Sequence, residues 1–159
     1  MNQENIAKDE ISIQTEEDQL YRENILDYYK HPRNKMVLQS CSIKHRELNP
    51  LCGDDVTVYI QLEDEGAEKS QNKNKLENNL KNKKITKVTF TGQGCAISQA
   101  SISMLTEVIV GKTLDEIKKL KKEDILSMLG ITISPGRIKC ALLSLKAVMK
   151  GVENYEGSS

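Results

Sequence analysis

The sequence predicts an α+β fold: a small antiparallel sheet of about three strands with helices packed on one face. Val56, Val58, Ile60 and Leu62 alternate with more polar residues, the period-2 mark of a half-buried strand. A second extended stretch, Lys84 to Thr91, places Val88 and Phe90 on one side. The segments that follow repeat apolar residues at helical spacing, and strands grouped ahead of helices indicate α+β.

Taken in order, residues 1–14 show no sustained period and read as a mobile acidic tail. Thr15 and Asp18 resemble an N-cap with an acidic first turn, after which Tyr21, Ile25, Tyr28 and Tyr29 recur at helical spacing. That helix is expected to stop near Lys30, because Pro32 disfavours helical backbone at His31. Residues 36–45 read as a weak strand with Val37, Cys41 and Ile43 sharing a face. Residues 63–84, between the two clear strands, hold only Ala67, Leu76 and Leu80 as apolar residues and read as a flexible hairpin insertion.

After Gly92-Gln93-Gly94 a helix is predicted from Ile97 to Val110, burying Ile97, Ala100, Met104, Leu105, Val108 and Ile109, with Gly111 as its C-cap. Thr113 and Glu116 form a capping box for a short helix carrying Leu114, Ile117 and Leu120. Glu123 to Leu129 forms another, closed by Gly130. Ser134-Pro135 starts the last helix, whose predicted stripe is Ile138, Ala141, Leu142, Leu145, Val148 and Met149, up to Gly151. One domain over residues 15–151 follows, with 152–159 as a C-terminal tail.

The 159-residue chain balances 23 Lys+Arg against 23 Asp+Glu. Zero net charge removes any whole-molecule electrostatic case for a nucleic-acid partner or an anionic membrane. The balance hides an acidic start and a basic later part: residues 1–20 hold one Lys against six acids, and residues 111–150 hold nine Lys/Arg against four. No signal-like apolar run opens the chain. The stretch from Ala96 to Val110 is too interrupted by polar residues to span a membrane. A cytoplasmic protein is expected, in which Cys41, Cys52, Cys95 and Cys140 are thiols, metal ligands or catalytic groups rather than disulfides.

Three of these cysteines occupy positions suited to chemistry. Cys52 lies in Asn49-Pro50-Leu51-Cys52-Gly53-Asp54, a turn just before the best strand, where Cys52 and Asp54 can converge as a soft and a hard ligand. Cys95 stands at a strand-to-helix turn, where unpaired N–H groups and the helix dipole favour an anion. Cys140 falls in the first turns of the last helix, off its apolar stripe, with Arg137 and Lys139 as cations to stabilise a thiolate. Cys41 shares strand parity with Val37 and Ile43 and reads as a buried structural thiol. His31 and His45 read as surface or turn residues. No C-x-x-C pair is present, which argues against a zinc ribbon and a thioredoxin-like site.

Four blocks in order then resemble a known family: Leu20-Tyr21 through His31-Pro32-Arg33-Asn34; Asn49 to Asp54; Gly92-Gln93-Gly94-Cys95-Ala96-Ile97-Ser98-Gln99-Ala100-Ser101; and Arg137-Ile138-Lys139-Cys140-Ala141. Over about residues 20–150 the chain resembles the iron–sulfur cluster assembly scaffolds of the IscU, SufU and NifU N-terminal type. The resemblance implies that Cys52, Asp54, Cys95 and Cys140 converge, receive sulfur from a cysteine desulfurase, hold a transient [2Fe-2S] cluster and pass it to acceptor apo-proteins or cluster carriers.

Lys139 stands where the IscU type has His, and Ile131 to Gly136 replaces a Leu-Pro-Pro-Val-Lys motif. Both features point toward the SufU type. The short spacing between Cys95 and Cys140 lacks the usual SufU insertion, so the subtype is mixed. The SufU likeness implies an alternative function, a zinc-dependent sulfurtransferase whose zinc is held by the same three Cys and one Asp, with Cys140 as sulfur acceptor. A zinc-stabilised interaction module without sulfur chemistry is the third reading.

Overall fold

The structure, a computed structural model, describes residues 3–63 and 81–158, with side chains in the first helix from Glu16 onward. Its elements are α1 (Gln3–Lys30), β1 (Ile43–Asn49), β2 (Asp54–Leu62), β3 (Ile85–Gln93), α2 (Ala96–Ile109), α3 (Leu114–Lys118), α4 (Lys122–Leu129), a 3-10 turn (Pro135–Arg137) and α5 (Ile138–Gly157). The strands form one antiparallel sheet in the order β1-β2-β3. The α+β class with a three-stranded sheet is as expected.

On β2 the predicted inner face holds: Val56, Val58, Ile60 and Leu62 are all buried, and Val88 and Phe90 of β3 join them in the core, while Tyr59 on the opposite face is buried as well. Helix α5 packs against β1 and β2, α2 packs against β3, and α2 also packs against α1 and α5. The ligand-bearing segments therefore meet at one end of the sheet, where Asn49 pairs with Asp54 and Gln93 pairs with Asp55.

Several expectations are corrected. Residues 36–42 are not a strand; the first strand is Ile43–Asn49, and Cys41 lies before it, half-buried rather than fully buried. The chain is held there by Asn34 instead, whose carbonyl accepts the Phe90 N–H at 3.0 Å, while Lys35 bridges to Phe90. Helix α1 begins at Gln3 rather than at Thr15. Its early residues contain neither Gly nor Pro, so extending an already nucleated helix through them costs little. The expected insertion lies mostly outside the described residues. At its described ends the Glu63 N–H donates to the Lys84 carbonyl at 2.9 Å, closing the β2–β3 hairpin.

The two long C-terminal helices also differ from their predicted stripes. Helix α2 is buried nearly all round, including Ile102, Ser98, Gln99, Ser101, Ser103 and Thr106, while Val108 is exposed. Neighbours on several sides require this. Its hydroxyls are matched to partners: Ser101 donates to the Ala141 carbonyl at 2.7 Å, and Ser103 accepts from the Arg33 N–H at 2.8 Å. Helix α5 buries Cys140, Ala141, Leu143, Ser144, Ala147, Val148, Gly151 and Val152, and continues to Gly157 instead of stopping at Gly151. Gly151 is there for close approach. A Cβ at that position would lie 3.1 Å from Ile43 Cγ2 and 3.2 Å from His45 Cβ, so its absence lets α5 lie on β1.

The remaining signals hold. Gly111 and Gly130 take positive φ after α2 and α4, and the Thr113–Glu116 capping box is formed.

Candidate metal centre

The β1–β2 connection builds the first half of the site. Asn49 and Asp54 are opposed in the ladder, the Cys52 N–H donates to the Asn49 carbonyl at 3.3 Å, and Gly53 takes φ +67°, a backbone state unfavourable to other residues. This tight turn leaves Cys52 exposed and delivers Asp54 inward, 1% exposed.

Helix α2 supplies the second part. Asp54 Oδ1 accepts from the Cys95 N–H at 2.9 Å and from Ser98 Oγ at 3.2 Å, so the start of α2 grips one carboxylate oxygen. Gly94 makes room for this. A Cβ there would stand 2.4 Å from Asp54 Oδ1 and 2.5 Å from Ser98 Oγ. The other oxygen, Oδ2, is buried without a hydrogen-bond partner.

Helix α5 closes the site with Cys140, which is fully buried and accepts from the Asn49 side-chain amide at 3.7 Å. Burial pushes the Cys140 thiol far above the usual range, reinforced by the neighbouring Cys52 and Asp54 side chains and by the charges of Cys95 and Asp54. The expected attraction between Arg137 and the Cys140 sulfur is present, and burial outweighs it. Lys139 is exposed. Arg137 hydrogen-bonds Cys95, and that contact, aided by Cys140 and Cys52, holds its own proton more firmly.

Ligand atoms of Cys52, Asp54 and Cys140 all lie within 4.8 Å of one another. Cys95 stands beside this trio, half-buried, joined to Asp54 through its backbone and to Arg137 through its sulfur. Three of the four predicted ligands are thus gathered, with the fourth adjacent. The donor set fits a thiophilic cation. In a tetrahedral site with metal–sulfur bonds of about 2.3 Å, ligand atoms sit roughly 3.8 Å apart, inside the observed span. A cation would also give the partnerless Oδ2 a partner and remove the cost of crowding thiols around a carboxylate.

Asn49, Gly94 and Ser98 lie within the sequence motifs, but local pattern assigns them no role. Ser98 stands three residues after Cys95, a spacing that suits a helix N-terminus, yet the carboxylate it serves is 44 residues away.

A small sheet under packed helices, with thiols and a carboxylate converging at one end, defines a thiolate-based metal-binding scaffold. The chain belongs to the NifU-like N-terminal domain family, whose model matches residues 20–159. It is 34% identical to the zinc-dependent sulfurtransferase SufU of Bacillus subtilis, over 89% of this chain and 95% of that protein. It is 28% identical to the iron–sulfur cluster assembly scaffold protein IscU of Escherichia coli K12, over 86% of this chain and 94% of that one. The crystal structure of a putative SUF-system cluster assembly scaffold from Fervidobacterium islandicum superposes with a TM-score of 0.62 at 27% identity, covering 82% of this chain and 94% of that one.

Proposed function

We propose that this protein is an iron–sulfur cluster assembly scaffold. It takes sulfur from a cysteine desulfurase, builds a transient [2Fe-2S] cluster on Cys52, Asp54, Cys95 and Cys140, and passes the cluster to acceptor apo-proteins or carriers in the cytoplasm. The observation that carries this is the partnerless, buried Asp54 Oδ2 beside the Cys52 and Cys140 sulfurs. A hard oxygen among soft sulfurs binds iron less firmly than a fourth thiolate, which suits a cluster that must leave. No described helix is long and apolar enough to cross a membrane.

The second reading is a zinc-dependent sulfurtransferase, favoured by Lys139, a poor metal ligand while protonated, and by the likeness to SufU. Three cysteines and one Asp make a four-ligand zinc site, and zinc there would keep the sulfurs deprotonated.

In either reading sulfur must first reach an accessible thiolate. Cys140, chosen from sequence as the acceptor, is fully buried, so we assign first contact to the exposed Cys52. Its thiolate attacks the outer sulfur of the desulfurase persulfide. A new S–S bond forms on Cys52 as the desulfurase S–S bond breaks, and the desulfurase cysteine leaves as thiolate.

Metal analysis of the purified protein, followed by anaerobic reconstitution with iron and sulfide, tests the first reading. Visible charge-transfer bands that vanish in Cys95→Ser support it; one tightly held zinc per chain that iron and sulfide do not displace overturns it in favour of the second. Stimulation of desulfurase turnover at limiting reductant, abolished by Cys52→Ser and retained by Cys41→Ser, supports the assignment of the acceptor. Full stimulation by Cys52→Ser overturns it.

A further inference from the structure

Asn49 touches three of the four candidate ligands. Its carbonyl accepts the Cys52 N–H at 3.3 Å, its backbone is paired with Asp54, and its side-chain amide lies 3.7 Å from Cys140 Sγ. It is 5% exposed, which is unusual for an amide unless its hydrogen-bonding groups are used. The partner is 91 positions away in sequence, so this is a tertiary contact rather than local turn chemistry.

We propose that Asn49 is a positioning residue of the metal site, whose amide N–H holds the Cys140 sulfur and lowers its electron donation to the bound metal. The inference rests on the metal-site reading above. When Cys140 serves as a ligand its sulfur is a thiolate and only accepts hydrogen bonds. Of the two ends of the amide, only nitrogen can then face it, because oxygen would set lone pairs against lone pairs. A hydrogen bond to a charged acceptor in a buried site is among the stronger kinds, and it draws electron density from the sulfur. Removing such an outer partner typically lowers metal affinity about ten- to hundredfold.

The consequence is a division of labour between the two sulfurs in the compact trio. Cys140 is buried and held by Asn49. Cys52 sits on an exposed turn, free to leave its position when sulfur arrives. Asn49 thus keeps one thiolate in place while the other reacts.

Cobalt(II) binding is the test, because its thiolate charge-transfer bands report sulfur donation without any turnover. Asn49→Ala is expected to bind cobalt about ten- to hundredfold more weakly, with the charge-transfer band moved to longer wavelength. Asn49→Asp, which keeps the shape of the side chain and lacks the N–H, is expected to do the same if Asn49→Ala is too unstable to purify. The effect should disappear in a Cys140→Ser background and persist in a Cys52→Ser background, as a double-mutant cycle requires of a direct contact. Tight cobalt binding by the wild-type protein with affinity and band position unchanged in Asn49→Asp overturns the inference alone. No cobalt or zinc binding by the wild-type protein overturns it together with the metal-site reading.

Discussion

The two ends of α2 are built on different physics. At its start, Ser98 and Gln99 are buried polar residues, one tied to Asp54, and Gln99 Nε2 and Asp54 Oδ2 have no hydrogen-bond partner. Towards its end, Ile102, Leu105 and Ile109 are buried apolar residues belonging to the same core as Leu114, Ile117, Ile125 and Leu129. The far end is stable because it excludes water. The end with the candidate ligands carries desolvation costs that a bound metal ion would offset, so its contribution to stability would then depend on what is bound.

This contrast is breakable by experiment. The largest effect is expected in the core: Phe90→Ala lowers the unfolding free energy by about 3–5 kcal/mol, equally with and without zinc, in urea titrations. A zinc-dependent difference would mean that the two ends are one energetic unit. Next, zinc at a hundredfold above its Kd should add about 2.7 kcal/mol to the wild-type protein, and Asp54→Asn should lose most of that gain. Without metal, Asp54→Asn is expected to melt close to the wild type, because it keeps an acceptor for the Cys95 N–H and removes a buried charge.

Gly94→Ala sharpens the comparison from the steric side. The new methyl would meet Asp54 Oδ1 and Ser98 Oγ, costing about 1–3 kcal/mol and weakening zinc binding, both visible by calorimetry. Thr113→Ala, at the far end, is expected to cost about 1 kcal/mol through its lost cap and to leave zinc affinity unchanged.

The smallest effect involves Glu47. Burial works against its ionised form, yet hydrogen bonds from His45 and Lys146, with the charges of Lys146 and Lys150, outweigh it and hold the carboxyl below its ordinary value of 4.5. Its contribution is therefore present above pH 4.5 and fades as pH falls through the lower folded value. Glu47→Gln should remove that acid-side slope, a change of less than about 1 kcal/mol given half-exposed lysines, and leave metal binding intact.

Much of this architecture was legible in the sequence. The period-2 run from Val56 to Leu62, the Thr113 box and the glycine stops at Gly111 and Gly130 depend on neighbours within a few residues, and each appears as read. The errors lie where distant packing overrides local pattern. Gly151 reads as a stop signal and is instead a contact surface for β1, and the stripe of α5 is turned so that Cys140 faces inward. Arg137, three residues from Cys140 in sequence, engages Cys95 first and Cys140 less strongly.

By itself, then, the sequence determined which residues are the candidate ligands, because a ligand cysteine needs a turn, a helix start and a nearby carboxylate that local residues specify. Only the tertiary structure decided how those residues differ from one another. Exposure, desolvation and the Asn49 and Ser98 contacts are set by groups distant in sequence, 91 and 44 positions away for the two contacts, brought close when β1, β2, α2 and α5 close over one end of the sheet. That closure makes Cys52 the accessible sulfur and Cys140 the buried one.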